Sequence, residues 1–290
     1  MVTGLDRTSS MRWSELTWPE IDSLDRDQTV LLLPTGAIEQ HGPHLPVDTD
    51  IHDATALALR AAQASGDGTI VLPPVWWGMS PHHMGYSGTI SLKLETFSNL
   101  ICDICAAVHH HGFTRVLIVN GHGGNAGILA ATAMRISEEL GLFVGTVSYW
   151  QLIPRELREI STSDIGGMGH ACEMETSLQL HLRPELVAMG NARKDMPKPA
   201  TSLSGIDFRD PGPLVYPLDF RRDSSEGVLG DPTVATREKG AAIADAVLEK
   251  LVHAIDEFRV APNRRDEHVA GMPAAVRPGP KSVDPGGSLP

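Results

Sequence analysis

Four continuous apolar runs of strand length punctuate the first half of the chain, at 29–34 (TVLLLP), 69–73, 115–120 (RVLIVN) and 142–150. Unbroken runs suit strands buried on both faces, whereas half-buried strands alternate apolar and polar positions. Between them lie helical patterns: 51–64, rich in alanine and leucine, 94–111 up to Gly112, and 126–140 up to Gly141. Strand and helix in alternation predict an α/β fold with a mainly parallel central sheet covered by helices on both faces. A short helix is predicted at Thr17-Trp-Pro-Glu20, where a capping threonine is followed three positions later by glutamate.

After Trp150 the pattern loosens. A helix is predicted over 175–182, and 191–232 is a long stretch of Pro, Asp, Arg and Ser of the kind that forms lids, subunit contacts or surface excursions. Asp231-Pro232 is read as the opening of the last helix, in which Ile243, Val247, Leu251 and Ile255 make one apolar stripe. Proline, glycine and charge dominate from 262 onward, so the expected organisation is a single domain over 1–261 and a disordered tail over 262–290.

The 290 residues include 36 acidic and 24 basic side chains, a formal net charge of −12. That sign disfavours phosphate backbones and anionic lipid, so neither nucleic acid nor membrane is an expected partner. No apolar run long enough for a membrane span or a signal peptide occurs, and the three cysteines fit a reducing compartment. The expected location is cytoplasmic. Cys102 and Cys105 fall inside a helical pattern, as core residues do, and His109, His110 and His111 sit at a predicted helix end, where imidazoles complement terminal carbonyls.

Candidate chemistry gathers where the buried strands end. The stretch PTGAIEQHGPHLPVDTDIH, 34–52, follows the first strand directly, and in open α/β sheets ligands bind at the carboxyl ends of the strands. Glu39 and His41, two apart in extended chain, can face one point. Asp48 or Asp50 can equally serve as an ordinary cap for the helix that follows. A second strand ends in Gly121-His-Gly-Gly-Asn125, which lacks the spacing of a phosphate cradle, and His170, Glu173 and Glu175 precede another helix. Acidic residues in a helix's first turn are ordinary by themselves. Taken together, these carboxylates and imidazoles suit Zn, Mn or Fe in a hydrolytic site better than a closed thiolate zinc site.

Glu39-Gln-His-Gly-Pro-His-Leu-Pro-Val-Asp-Thr-Asp50, Asn120-Gly-His-Gly-Gly-Asn125 and His170-Ala-Cys-Glu-Met-Glu-Thr-Ser177 resemble the three signature segments of the creatininase (creatinine amidohydrolase) family, and Gly88-Thr-Ile-Ser-Leu92 resembles a fourth. The resemblance implies a three-layer α/β sandwich, a dinuclear centre of two divalent ions, hydrolysis of C–N bonds in small, often cyclic, amides rather than ordinary peptide bonds, and a homo-oligomer, commonly a hexamer. Carried over position by position, it implies that Glu39 and His122 hold one metal, His41 the other, and Asp50 bridges both. Creatininase has a ligating glutamate where this chain has Gly124, and Glu175 is the expected replacement. A tryptophan that closes over creatinine also has no counterpart near Gly166, so creatinine is not the expected substrate.

The mechanism so implied is attack on the amide carbon by a hydroxide bridging the two ions. The leaving nitrogen needs a proton, for which His170 is the first candidate and Glu173 the second. Trp150, His83 and Gly123 are the expected substrate contacts, with solvent exposure the equal alternative for His83. Formamide or peptide hydrolysis on the same centre, a metal-free amidase with Cys172 as nucleophile, and a noncatalytic metabolite-binding role are the alternatives.

Overall fold

The computed structural model describes residues 11–263 except 197, 199, 200, 202 and 215. The tail expected over 262–290 therefore lies outside the described residues from 264 onward. Helix α1 (Trp18–Asp22) carries the capping box read from the sequence, with Thr17 and Glu20 bonded reciprocally. Four parallel strands then build the central sheet: β1 (Val30–Thr35), β2 (Thr69–Val71), β3 (Arg115–Asn120) and β4 (Phe143–Ser148), in the spatial order β2-β1-β3-β4. The crossovers are α2 (Thr49–Ser65), α3 (Leu94–His110) and α4 (Ala126–Leu140).

Alternation along the strands sorts the core into two layers. Leu31 and Leu33 of β1, with Val116 and Ile118 of β3, pack against Phe97, Ile101, Leu129 and Ile136 of α3 and α4. Val30 and Leu32, with Leu117 and Val119, pack on the other face against Ala58, Ala61 and Ala62 of α2 and Leu251 and Ile255 of the last helix. Every β1 side chain is buried. Strands covered on both sides have no polar face, which is why these runs lack a period-two pattern. The result is the expected three-layer sandwich.

Beyond β4 come α5 (Pro154–Ile160), strand β5 (Met168–His170), α6 (Glu173–Leu182), the single-turn α7 (Phe220–Asp223), strand β6 (Leu229–Gly230) and α8 (Arg237–Val260). β5 and β6 pair antiparallel, a small second sheet that no local pattern announced. The last helix starts later than the sequence suggested. Asp231 caps a separate 3₁₀ turn by accepting from the Thr233 N–H, and Ala235 is extended, so α8 begins only at Arg237. Among the described residues, no helix is long and apolar enough to cross a membrane.

Candidate metal centre

Three loops meet at the carboxyl ends of β1 and β3. Residues 36–41 continue β1, the Asn120–Asn125 loop continues β3, and the first turn of α2 brings Asp50 between them. Asn120 pins the second loop, its side chain accepting from the His122 N–H at 3.1 Å and donating to the His122 carbonyl at 2.7 Å. Asn125 donates to the Gly36 carbonyl at 3.0 Å, which ties the two strand ends together. Gly121 is required by the approach of α2, since a Cβ there would lie 2.2 Å from the Asp50 carbonyl oxygen.

Glu39, His41, Asp50, His122 and Glu175 are all buried within this junction. His41 Nε2 lies 3.0 Å from Asp50 Oδ1, and His122 Nδ1 lies 3.1 Å from Asp50 Oδ2 and 3.2 Å from Glu39 Oε2. Asp50 thus stands between two imidazoles with one oxygen toward each. His41, His170 and Glu175 form a further group whose donor atoms all lie within 4.8 Å of one another. Despite these short separations, Glu39 Oε2, His41 Nε2 and Asp50 Oδ2 have no aligned hydrogen-bond partner among the described residues. Buried polar atoms are rarely left this way, because desolvation costs roughly 1–3 kcal/mol per group. Their lone pairs converge on shared space, as the ligands of a cation do.

The outer contacts fix which nitrogen faces inward. His41 Nδ1 sits 3.2 Å from the Glu39 carbonyl and His122 Nε2 sits 3.2 Å from the Met79 carbonyl, so each ring donates outward and turns the other nitrogen to the centre. His170 Nε2 donates to the Gln40 carbonyl at 2.8 Å, leaving Nδ1 facing Glu39 Oε1 at 3.6 Å. Gln40 itself is oriented by the Gly42 N–H on its Oε1, so its amide donates to His83 Nδ1 at 2.9 Å. The remaining proton of His83, on Nε2, then points at Glu39 Oε1, 3.3 Å away. His83 is buried beside Glu39 on the cavity wall, not exposed.

Electrostatics follow from crowding. Burial alone would lower the His41 pKa, but Asp50, Glu175 and Glu39 overcome it and push it up to about 10. Burial is likewise overcome at His122, chiefly by Glu39 and Asp50, and its pKa is raised. Desolvation pushes the Glu175 carboxyl up to about 7, with Asp50 adding to the effect and His41 opposing it. His170 and His83 are held well below the imidazole range by burial and by neighbouring imidazoles. The buried cluster therefore favours protonation of His41, His122 and Glu175.

A cavity of about 910 Å³ opens onto this cluster, reached by Glu39, Asp50, His122, His170 and Glu175 and also by His83 and Gly123. Residue 124 is a glycine because the space is taken: a Cβ there would lie 2.4 Å from His122 Nε2 and 2.9 Å from the His82 ring. The ring of His82 stacks on His122 with centroids 5.6 Å apart. Glu175, in the first turn of α6, brings a carboxylate to the same cavity, beside His41 and His170. Ala171, with φ of 49°, makes the sharp turn that leaves His170 at the cavity and starts α6 two residues later.

Three expected residues are placed elsewhere. Glu173 is turned away from the cavity, its oxygens accepting from the Thr162 and Ser163 N–H groups at 2.9 and 3.0 Å and from the Lys239 ammonium. With its lone pairs so engaged, it is a clamp between α6 and α8 and not a proton donor to substrate. Trp150 lies in the core beneath the cavity wall, stacked on Phe208 at 4.8 Å, and it is Phe208 that meets the cavity. The Cys172 sulfur caps α6, and burial holds its thiol well above the usual range, against a nucleophilic role. Sequence reasoning missed Gln40, Phe220 and Arg221. Phe220 stacks on His83 at 3.9 Å from the 191–230 stretch, where length was the sole signal.

Residues 14–255 match the family described as creatininase, creatinine amidohydrolase. The chain belongs to the creatininase family. It is 30% identical over 269 residues to the mycofactocin precursor peptide peptidase of Mycobacterium ulcerans, covering 90% of this chain and 94% of that protein. It is 31% identical over 259 residues to the creatinine amidohydrolase of Pseudomonas putida, covering 84% and 95%. A crystal structure of creatinine amidohydrolase superposes with a TM-score of 0.76 at 28% identity, over 88% of this chain and all of that one. Hydrolysis is the activity that membership in the creatininase family carries. The two relatives are named for hydrolysis of different compounds, a mycofactocin precursor peptide and creatinine.

Proposed function

We propose that this creatininase-family chain is a metal-dependent amidohydrolase that cleaves a C–N bond of a small amide, on a centre of two divalent ions of Zn, Mn or Fe. The observation that carries the reading is the set of three buried, unaligned polar atoms, Glu39 Oε2, His41 Nε2 and Asp50 Oδ2, on residues whose ligand atoms come within 4.8 Å of one another beside the cavity. Glu39 and His122 would hold one ion, His41 and Glu175 the other, and Asp50 both. Bound there, such ions supply Lewis acidity toward the amide carbonyl and ionise water near neutral pH. The protein's own part is positioning and proton transfer. Gln40 and His83 hold Glu39 in place through the amide-to-imidazole relay. His170, its Nε2 proton committed to the Gln40 carbonyl, accepts the proton of the attacking water at Nδ1 and returns it to the leaving nitrogen.

The cavity is larger than creatinine needs and walled by Met79, Ile206, Phe208, Leu218 and Phe220. Its size suits the end of a peptide or an N-acyl compound as well as a lactam, imide or formamide. We propose in addition that the chain works as a homo-oligomer, as the family resemblance implies. Elemental analysis of chelator-free protein should give about two transition-metal ions per chain. Asp50→Asn should lose metal and hydrolysis of a panel of amides together. Full hydrolysis at substoichiometric metal sinks the reading.

A further inference from the structure

Among the ionised side chains that the 216–221 segment presents to the cavity, Arg221 stands apart. Its guanidinium lies 4.5 Å over the Tyr86 ring, and the Tyr86 hydroxyl is itself fixed by donating to the Ser224 carbonyl at 3.2 Å. No carboxylate pairs with Arg221 among the described residues, although acids surround it. Asp219, on the same wall, uses its carboxylate to cap α7 by accepting the Arg221 backbone N–H at 3.0 Å. Asp223 is taken by the adjacent Arg222, with contacts of 2.8 and 2.9 Å. The arginine on the cavity lining is thus held on an aromatic face at the cavity rim while its neighbour is neutralised. An Arg fork stacked this way is pre-organised for a planar two-oxygen anion.

We infer that Arg221 binds a carboxylate of the substrate, so that the amide cleaved here belongs to an acid such as an N-acyl amino acid or a peptide with a free terminus. The inference rests on the amidohydrolase reading and narrows it. A carboxylate is favoured over a phosphate because the 216–221 wall offers one guanidinium fork and no second basic side chain. Phosphates are usually met by several donors or charges.

The test uses metal-loaded protein and probes without an amide bond, 4-phenylbutyrate and the uncharged 4-phenylbutan-1-ol, titrated by calorimetry. Wild type should hold the acid roughly tenfold more tightly than the alcohol, the scale of one charge-assisted bidentate contact. Arg221→Gln should bring the two within about threefold, and Arg221→Lys should fall between. A preference that survives Arg221→Gln, as it would if metal held the carboxylate, overturns the inference. So does the absence of preference in wild type, or an Arg221-dependent preference for phenyl phosphate over 4-phenylbutyrate. Failure of the amidohydrolase reading would appear separately, as the absence of metal-dependent turnover on the amide panel.

Discussion

Glu173 and Glu175 stand two apart in the first turn of α6 and have opposite environments. Glu175 accepts one backbone N–H, from Cys172, and faces the imidazoles of His41 and His170, whereas Glu173 has a lysine and two backbone N–H groups. Only the family resemblance told them apart; residue type and spacing could not, because Glu173's partner, Lys239, lies on another helix. Glu39, His41, Asp50 and His122 were legible because strand ends and Gly/Pro loops place them at the sheet edge wherever the exact bounds fall. Glu173→Gln leaves Lys239 without its counter-charge in a half-dry site and should cost about 2 kcal/mol. That corresponds to a fall of roughly 5 °C in Tm for a chain of this size. Its kcat/KM should stay within about twofold of wild type. A collapse of kcat with Tm intact would return Glu173 to the chemistry.

At the level of elements, the centre depends on how closely α2 approaches the ends of β1 and β3. Strands β1, β2 and β3 and the crossover helices could be read from apolar runs because they are buried on both faces or along one stripe, whereas β4 is a half-buried edge strand. The β5–β6 pair could not, since it joins 168–170 to 229–230 with no local period. Gly121→Ala puts a methyl 2.2 Å from the Asp50 carbonyl, backbone against backbone, so α2 must shift and carry Asp50 with it. The expected result is a lower metal content and a loss of stability of about 1–3 kcal/mol. Gly123→Ala, two residues away, is the control, because a Cβ there meets nothing within 4 Å. It should load metal and melt as wild type does. Equal metal content in the two variants would mean that the approach of α2 is not what sets Asp50.

For the molecule as a whole, the buried centre makes stability depend on both metal and pH. In metal-free protein, His41 titrates at about 10 against 6.5 for an ordinary imidazole, and Glu175 at about 7 against 4.5. Both pKa values are raised, so each group favours the folded state when protonated. The contribution of His41 is complete below about 6.5 and is lost as pH climbs toward 10, and that of Glu175 is lost between about 4.5 and 7. Raising pH through 6.5–8.5 should therefore lower the Tm of chelated protein. Loaded protein behaves oppositely, because cations bind the deprotonated ligands and compete with those protons. At a free metal concentration a thousand times Kd, binding contributes about 4 kcal/mol, worth roughly 10 °C. The gap in Tm between loaded and chelated samples should widen steadily from pH 6.5 to 8.5 in differential scanning calorimetry. His41→Ala should flatten that widening, since the more strongly shifted of the two sites is gone. A gap that stays constant with pH, or that survives His41→Ala unchanged, would mean that the metal binds away from this cluster.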